Sequence, residues 1–199
     1  MPSIRPFEAR DLDALYDICL RTGAAGEDAT GMVEEPRLFG ELFAAPYGVL
    51  EPEHALVLAD DTDGAVGYVL GAVDTRAFEA RCVAHWWPTA QVRHPQVAGA
   101  GDLDELLIHL IHHPPTADDA TVERYPSHLH IDLLPEVQGA GWGRRMMEAL
   151  FALLAEHGSR GVHWGVSRTN APALGFYRHL GATEIGGDAM THRFGWPLP

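Results

Sequence analysis

One glycine-rich turn, with a change of hydrophobic period across it, restricts this fold more than any other feature. From His128 to Leu134 the residues alternate: Leu129, Ile131 and Leu133 fall on one side, and His128, His130, Asp132 and Leu134 on the other. That period of two is the mark of a β-strand. From about Gly141 to His157 the period is helical, with Met146, Leu150 and Leu153/Leu154 as an apolar stripe and Gly158 as its end. Gln138-Gly139-Ala140-Gly141-Trp142-Gly143 joins the two. The alternation of element types continues. Gly161–Ser167 reads as a strand, Asn170 can cap a helix over Ala171–Leu180 with Pro172 in its first turn, and Met190–Trp196 reads as the last strand. Strand–helix–strand units predict parallel pairing in this half of the chain.

The first half reads differently. Ser3–Phe7 is a short strand, followed from about Asp11 by a helix whose Leu12, Leu15, Tyr16 and Cys19 share one face. Gly23 is placed to stop it in a left-handed conformation. A helix is expected over Arg37–Ala45, ended by Pro46. Ala55–Ala59 and Val66–Val73 flank an Asp/Thr/Gly turn and predict an antiparallel hairpin. Thr75–Pro126 holds two candidate helices, Ala77–Trp87 and Leu103–His112, with a flexible break at Gly99-Ala100-Gly101 and a stop at Pro114-Pro115. It is too short and too interrupted by proline for a core of its own. The expectation is therefore one domain over residues 1–199 of α/β (α+β) class. Its central sheet is mixed and mostly antiparallel, with helices on both faces and a helical insertion (75–126) between the third and fourth strands.

With a net charge of −14, the chain lacks the clustered cations that phosphate-backbone binding needs, so nucleic acid is not an expected partner. The acidity suits a cationic acceptor, or serves only solubility. No run of apolar residues is long enough to span a bilayer, and Met1–Arg10 lacks the apolar core of a signal peptide. The two cysteines, Cys19 and Cys82, have no metal or redox spacing, which fits a reduced cytoplasmic setting. His109, His112 and His113 have no cysteine or acid partner in ligand spacing and read as surface histidines, so no metal site is expected.

Physically, the glycine turn is an anion site. Glycines let backbone N–H groups approach a phosphate, the helix N-terminus adds unpaired donors, and Arg144 and Arg145 add charge. The glycine spacing does not fit G-x-G-x-x-G, and no Lys-Ser/Thr pair follows as in a P-loop. A tight turn without a ligand is the other reading.

Leu133 to Gly143 resembles the pyrophosphate motif of the GNAT acetyltransferases, Arg/Gln-x-x-Gly-x-Gly/Ala. Asn170-Ala171-Pro172-Ala173-Leu174-Gly175-Phe176-Tyr177 resembles the second signature of that family. Gly67–Thr75, Phe78, Cys82, Trp86, His157–Gly161 and Phe176–Gly181 are similar to the C-terminal acetyltransferase-like domain of O-GlcNAcases. The animal members of that group lack the glycine loop that this chain keeps. The resemblance implies acetyl-CoA as cofactor, and a small amine or a peptide as acceptor for a monomer or homodimer. It implies backbone contacts from Leu133 and Leu134 to the pantetheine arm. Gly139, Gly141, Gly143 and Arg144 would hold the pyrophosphate with Trp142 at the same turn, and Gln138 would brace the loop. Asn170 would bond the pantetheine or simply cap its helix. Phe176 and Tyr177 form the aromatic pair, and Tyr177 would protonate the leaving thiolate, its alternative being a core tyrosine. Asp132 is the first candidate for the base that deprotonates the amine, followed by His130 and Asp74. Trp86-Trp87-Pro88 would line an acceptor pocket or, as such aromatics more often do, pack in the core or a lid, and the 75–126 segment would roof that pocket or be a decoration packed elsewhere. A non-catalytic acyl-CoA-binding module is the alternative function.

Overall fold

The computed structural model describes residues 2–96 and 101–199. Its centre is a seven-stranded sheet in the order β1-β2-β3-β4-β5-β7-β6. The strands are β1 (Ser3–Pro6), β2 (Ala55–Ala59), β3 (Ala65–Ala72), β4 (Ser127–Leu133), β5 (Gly161–Ser167), β6 (Thr183–Gly187) and β7 (Thr191–Pro197). Every ladder is antiparallel except β4–β5. The mixed, mostly antiparallel sheet is thus as the sequence predicts. Parallel pairing is confined to the β4-helix-β5 unit.

Two cores cover the two faces. Along β3, Tyr68, Leu70 and Ala72 face one way, into a core with Leu15, Ile18 and Cys19 of α1 (Leu12–Arg21) and Leu38 and Phe39 of α2 (Leu38–Phe43). The same core takes up Tyr47 of α3 (Ala45–Leu50). Val69 faces the other way, toward Met146, Met147 and Leu150 of α8 (Trp142–Glu156) and Leu174 and Tyr177 of α9 (Ala171–Leu180). The alternating side chains of each strand thus feed both layers.

The segment between β3 and β4 forms α4 (Thr75–Arg81), a π-helical turn (Cys82–Trp86), α5 (Trp87–Arg93), α6 (Leu103–His112) and α7 (Asp119–Arg124). Phe78, Cys82, Trp86, Ala90, Leu107 and Ile111 are buried in the α1 core, so this segment packs onto the domain's own first layer. Its ends meet where Thr75 N–H donates to Pro126 O at 2.8 Å. Of the expected hinge, Gly101 is left-handed (φ +67), while Gly99 and Ala100 lie outside the described residues.

Several local expectations are corrected. Gly23 is not left-handed; a Cβ there would sit 2.8 Å from the Phe39 ring, so it is small for packing rather than for its turn. The Arg37–Ala45 helix breaks at Ala44, and Pro46 opens α3 instead of ending α2, because a first-turn proline lacks only an N–H that has no partner anyway. α9 leads into β6, an exposed edge strand that the sequence reading missed. β7 therefore runs back antiparallel between β5 and β6, and is not the parallel neighbour of β5.

Gly40 lets α2 cross α1 closely. A Cβ there would lie 2.4 Å from Tyr16 Cδ1 and 2.9 Å from Tyr16 Cα, and a backbone atom cannot rotate away. Gly40→Ala is expected to destabilise the fold by about 1–3 kcal/mol, read as a lower urea midpoint at unchanged m-value.

Candidate active site

β4 and β5 pair only at Ser127↔Val162 and His128↔His163, and then part. On its other edge β4 is fully paired to β3, from Ala72↔His128 to Gly67↔Leu133. Leu134 N–H donates to Val66 O at 3.0 Å. By antiparallel alternation, the even-numbered residues of β4 bond to β3, and the N–H and C=O groups of Leu129, Ile131 and Leu133 turn toward β5. Beyond His128 the β5 ladder is absent, so Ile131 and Leu133 offer their backbone groups to the opening. Leu133 O already accepts from Gln138 Nε2 at 2.8 Å, which ties the following loop to the strand. Leu134 was expected to offer backbone groups as well. Its N–H is taken by Val66 and its carbonyl accepts from Val137 N–H at 3.1 Å, so the open position is Ile131 instead.

A cavity of about 670 Å3 runs through this split from one face of the sheet to the other. On the first face it meets Cys19, His128, His130 and Asp132; on the second, Trp164, Asn170 and Tyr177. Its outer wall comes from the 75–126 segment through Phe78, Glu79, Val83, Trp87 and Pro114–Ala117. Trp86 does not line it; the indole is buried and donates to Glu41 O at 3.0 Å. Asp74 is also spent elsewhere, accepting from Ala77 N–H at 3.0 Å as the cap of α4. His109 and His113 are exposed, with their rings 4.5 Å apart, as surface histidines are expected to be, and His112 Nε2 contacts His94 O at 2.8 Å.

The polar floor is a linked set. Tyr68 hydroxyl donates to Asp132 Oδ2 at 2.6 Å. His130 Nε2 lies 3.0 Å from the same oxygen, out of line for a hydrogen bond, so that contact is ionic. Burial disfavours the imidazolium of His130, but Asp132 and Cys19 outweigh it, and the pKa is pushed up to about 10. Two residues back, His128 has no carboxylate beside it; burial and the neighbouring His163 push it down to about 3, and its Nδ1 contacts the Thr75 hydroxyl at 2.9 Å. Adjacent positions on one strand face thus hold a charged and a neutral imidazole at neutral pH.

Tyr177 is buried within a cluster of rings, 5.2 Å from Trp164, 5.1 Å from Phe176 and 5.5 Å from Phe194 between centroids. Burial raises the pKa of its phenol, and the charge of Asp132 adds to this, so the hydroxyl keeps its proton at neutral pH.

The glycine loop lies beside the cavity rather than in its lining. Gly139 and Gly141 are left-handed (φ +75 and +80), and a Cβ on either would meet no protein atom. Gly141 caps α8, and Arg145 N–H makes the first helical bond to Gly141 O at 3.3 Å, which leaves the N–H groups of Trp142, Gly143 and Arg144 without helical partners. Arg144 is exposed, 3.6 Å from Glu148, and Arg145 lies over the Trp142 ring at 4.7 Å. Gly143 is small because a Cβ would stand 3.2 Å from Phe176 and 3.7 Å from Leu133. Phe176 therefore packs the loop against both strand and helix. Sequence reasoning missed Tyr68 and Cys19 as part of the site, because each looks like an ordinary apolar position of its own element.

Comparison with known proteins places the fold. The model of the acetyltransferase (GNAT) family matches residues 106–182. A solved structure named SsHAT superposes with a TM-score of 0.91 at 41% identity, covering 98% of each chain. This chain belongs to the GNAT acetyltransferase family, and acetyl transfer is the chemistry of its fold. It is also 28% identical over 188 residues to the protein O-GlcNAcases of Rattus norvegicus and Mus musculus; the match spans 92% of this chain but 20% of theirs. The phosphinothricin acetyltransferase of Sinorhizobium meliloti, solved in complex with acetyl-CoA, shares the fold with a TM-score of 0.59 at 15% identity, covering 99% of this chain and 88% of that one. Among the described residues, no helix is long and apolar enough to cross a membrane.

Asn170 Oδ1 accepts from Ala173 N–H at 3.0 Å, a helix cap, and a Cβ on Gly26 would meet its Nδ2 at 2.8 Å. Asn170→Ala is expected to cost about 1 kcal/mol in urea unfolding. Asn170→Asp, which keeps the capping oxygen, should stay near the parent.

Proposed function

We propose that this chain moves the acetyl group of acetyl-CoA to a primary amine by direct attack, with Asp132 as base and Tyr177 as acid. The observation that carries the reading is the single cavity through the β4–β5 split, which has an ionisable carboxylate on one face and a protonated, buried phenol on the other. Bound acetyl-CoA supplies an activated thioester carbonyl. The open backbone groups of Ile131 and the N–H of Leu133 suit an amide-bearing arm laid along β4, as a strand would lie there. Left-handed Gly139 and Gly141, with the free N–H groups of Trp142, Gly143 and Arg144, suit a pyrophosphate at the positive end of α8. Asp132 takes the ammonium proton as the amine enters from the side of the 75–126 segment. The amine nitrogen bonds to the thioester carbon; as the carbon–sulfur bond breaks, the Tyr177 hydroxyl gives its proton to the sulfur, avoiding a free thiolate in a site screened from water, and the phenolate regains a proton from the nitrogen of the new amide. The walls of Phe78, Trp87 and Pro114–Ala117 leave a passage suited to a small amine or an extended peptide.

A second reading, a non-catalytic acyl-CoA-binding module, is favoured by one detail. Asp132 Oδ2 already accepts from Tyr68 and faces His130, so that oxygen is occupied where the amine proton would have to arrive. The two readings separate on turnover: release of coenzyme A that rises with amine concentration supports the first, and tight binding with amine-independent release supports the second.

Valine at Gly141 would be forced into a left-handed conformation without striking the protein, so the variant should fold. Gly141→Val is expected to weaken acetyl-CoA binding on the order of 100-fold by calorimetry, the loss of one or two charge-assisted hydrogen bonds. Tyr177→Phe removes only the proton donor. It should lower kcat by about 100-fold while acetyl-CoA affinity stays within a few-fold; an unchanged kcat would make Tyr177 a core residue alone.

A further inference from the structure

Cys19 has no part in acetyl transfer as read above, yet it sits beneath the cavity floor, 2% exposed on α1, against the polar face of β4. His130 and Asp132, two residues apart on a strand, share that face. The Cys19 thiol sulfur, an imidazole nitrogen of His130 and a carboxylate oxygen of Asp132 all lie within 4.8 Å of one another. His130 Nε2 is buried there with no hydrogen-bond partner.

We propose that Cys19, His130 and Asp132 form a zinc-binding site whose fourth position opens into the cavity. The donor set is one sulfur, one nitrogen and one oxygen, the mixture that favours zinc over calcium or magnesium. Tetrahedral zinc with bonds of about 2.0–2.3 Å puts its ligand atoms roughly 3.3–3.7 Å apart, so the Cys19 sulfur need close in by an ångström or so at most while His130 Nε2 and Asp132 Oδ2, 3.0 Å apart, open slightly. Thiolate and carboxylate would balance the charge of the ion in this half-buried place. The outer shell is already built, since Tyr68, fully buried, donates to Asp132 Oδ2 at 2.6 Å and fixes the carboxylate from behind. Three ligands with a fourth position facing open space is the arrangement of a zinc ion that can exchange water for a small molecule. The other such cluster, Glu51, Glu53 and His54, has its buried carboxylate Glu51 paired with Arg81, whose charge takes the place a cation would fill.

The consequence for activity rests on the proposed amine acetylation: Asp132 held by zinc cannot take the proton of the amine, so zinc would switch transfer off. Binding itself does not depend on that reading. The full-length protein, freed of metal by a chelator, is titrated with zinc chloride by calorimetry, and separately with cobalt(II) while its absorption is followed. One zinc per chain is expected, with tetrahedral cobalt bands and a thiolate-to-cobalt charge-transfer band. Cys19→Ser should abolish the charge-transfer band and weaken zinc binding at least about 100-fold. His130→Asn gives a second variant with the same expected loss of zinc should Cys19→Ser fail to fold. Replacing His109 and His113 together should change nothing. Absence of zinc binding, or binding that survives in Cys19→Ser and His130→Asn, overturns the proposal. With an amine acceptor, zinc should inhibit the parent and spare Cys19→Ser. If no amine is acetylated, the calorimetry and the cobalt spectrum still decide the site.

Discussion

Two parallel strands that share hydrogen bonds at one end and separate at the other govern this molecule. β4 and β5 are held together at Ser127–His128, where Ser127 hydroxyl donates to Val73 O at 2.6 Å and His163 Nδ1 lies 2.8 Å from Tyr125 O. Beyond that anchor no ladder pair joins them. A sheet broken in its middle loses ladder bonds that a continuous sheet would keep, and the exposed groups must find other partners. The two cores on either side have to carry the stability that the split gives up.

Those cores divide the labour. On the second face, Trp164, Tyr177, Phe194 and Phe151 pack ring against ring behind β5, so Tyr177 is aimed at the split by its neighbours rather than by a hydrogen bond of its own. On the first face, α1 and α2 cross closely at Gly40, and the segment between β3 and β4 lies over them. The charged floor of Asp132, His130 and Tyr68 is sunk between these layers. There a single carboxylate sets the protonation of the groups around it, and the same strand face holds one imidazole with a raised pKa and one with a lowered pKa.

Where local sequence and structure disagree, tertiary context is the cause. Thr183–Gly187 carries little apolar alternation and two glycines, yet it is a strand because β7 offers it an edge and Glu184 pairs with Arg178 and His192. Pro46 reads as a stop, and becomes a start only because α3 must turn at Ala44 to bury Tyr47 against Phe78. Gly23 and Gly143 look like turn glycines and are small for a ring from another helix. In each case the deciding partner is far away in the chain, beyond the reach of any window of periodicity.

The sequence by itself determined the β4–loop–α8 unit, the cap at Asn170, the hairpin of β2 and β3, and the polar face of β4. All of these are local: a period, a cap or a glycine spacing states its own geometry. Tertiary structure alone decided that β4 and β5 part after His128, that Leu134 is closed off and Ile131 is open, and that Cys19 and Tyr68 stand beside His130 and Asp132. Those facts depend on which strand edge is left unpaired and on which helix crosses it. Hydrogen-bond register and helix crossing are set by the packing of the whole sheet, so no residue carries them in its own neighbourhood of sequence.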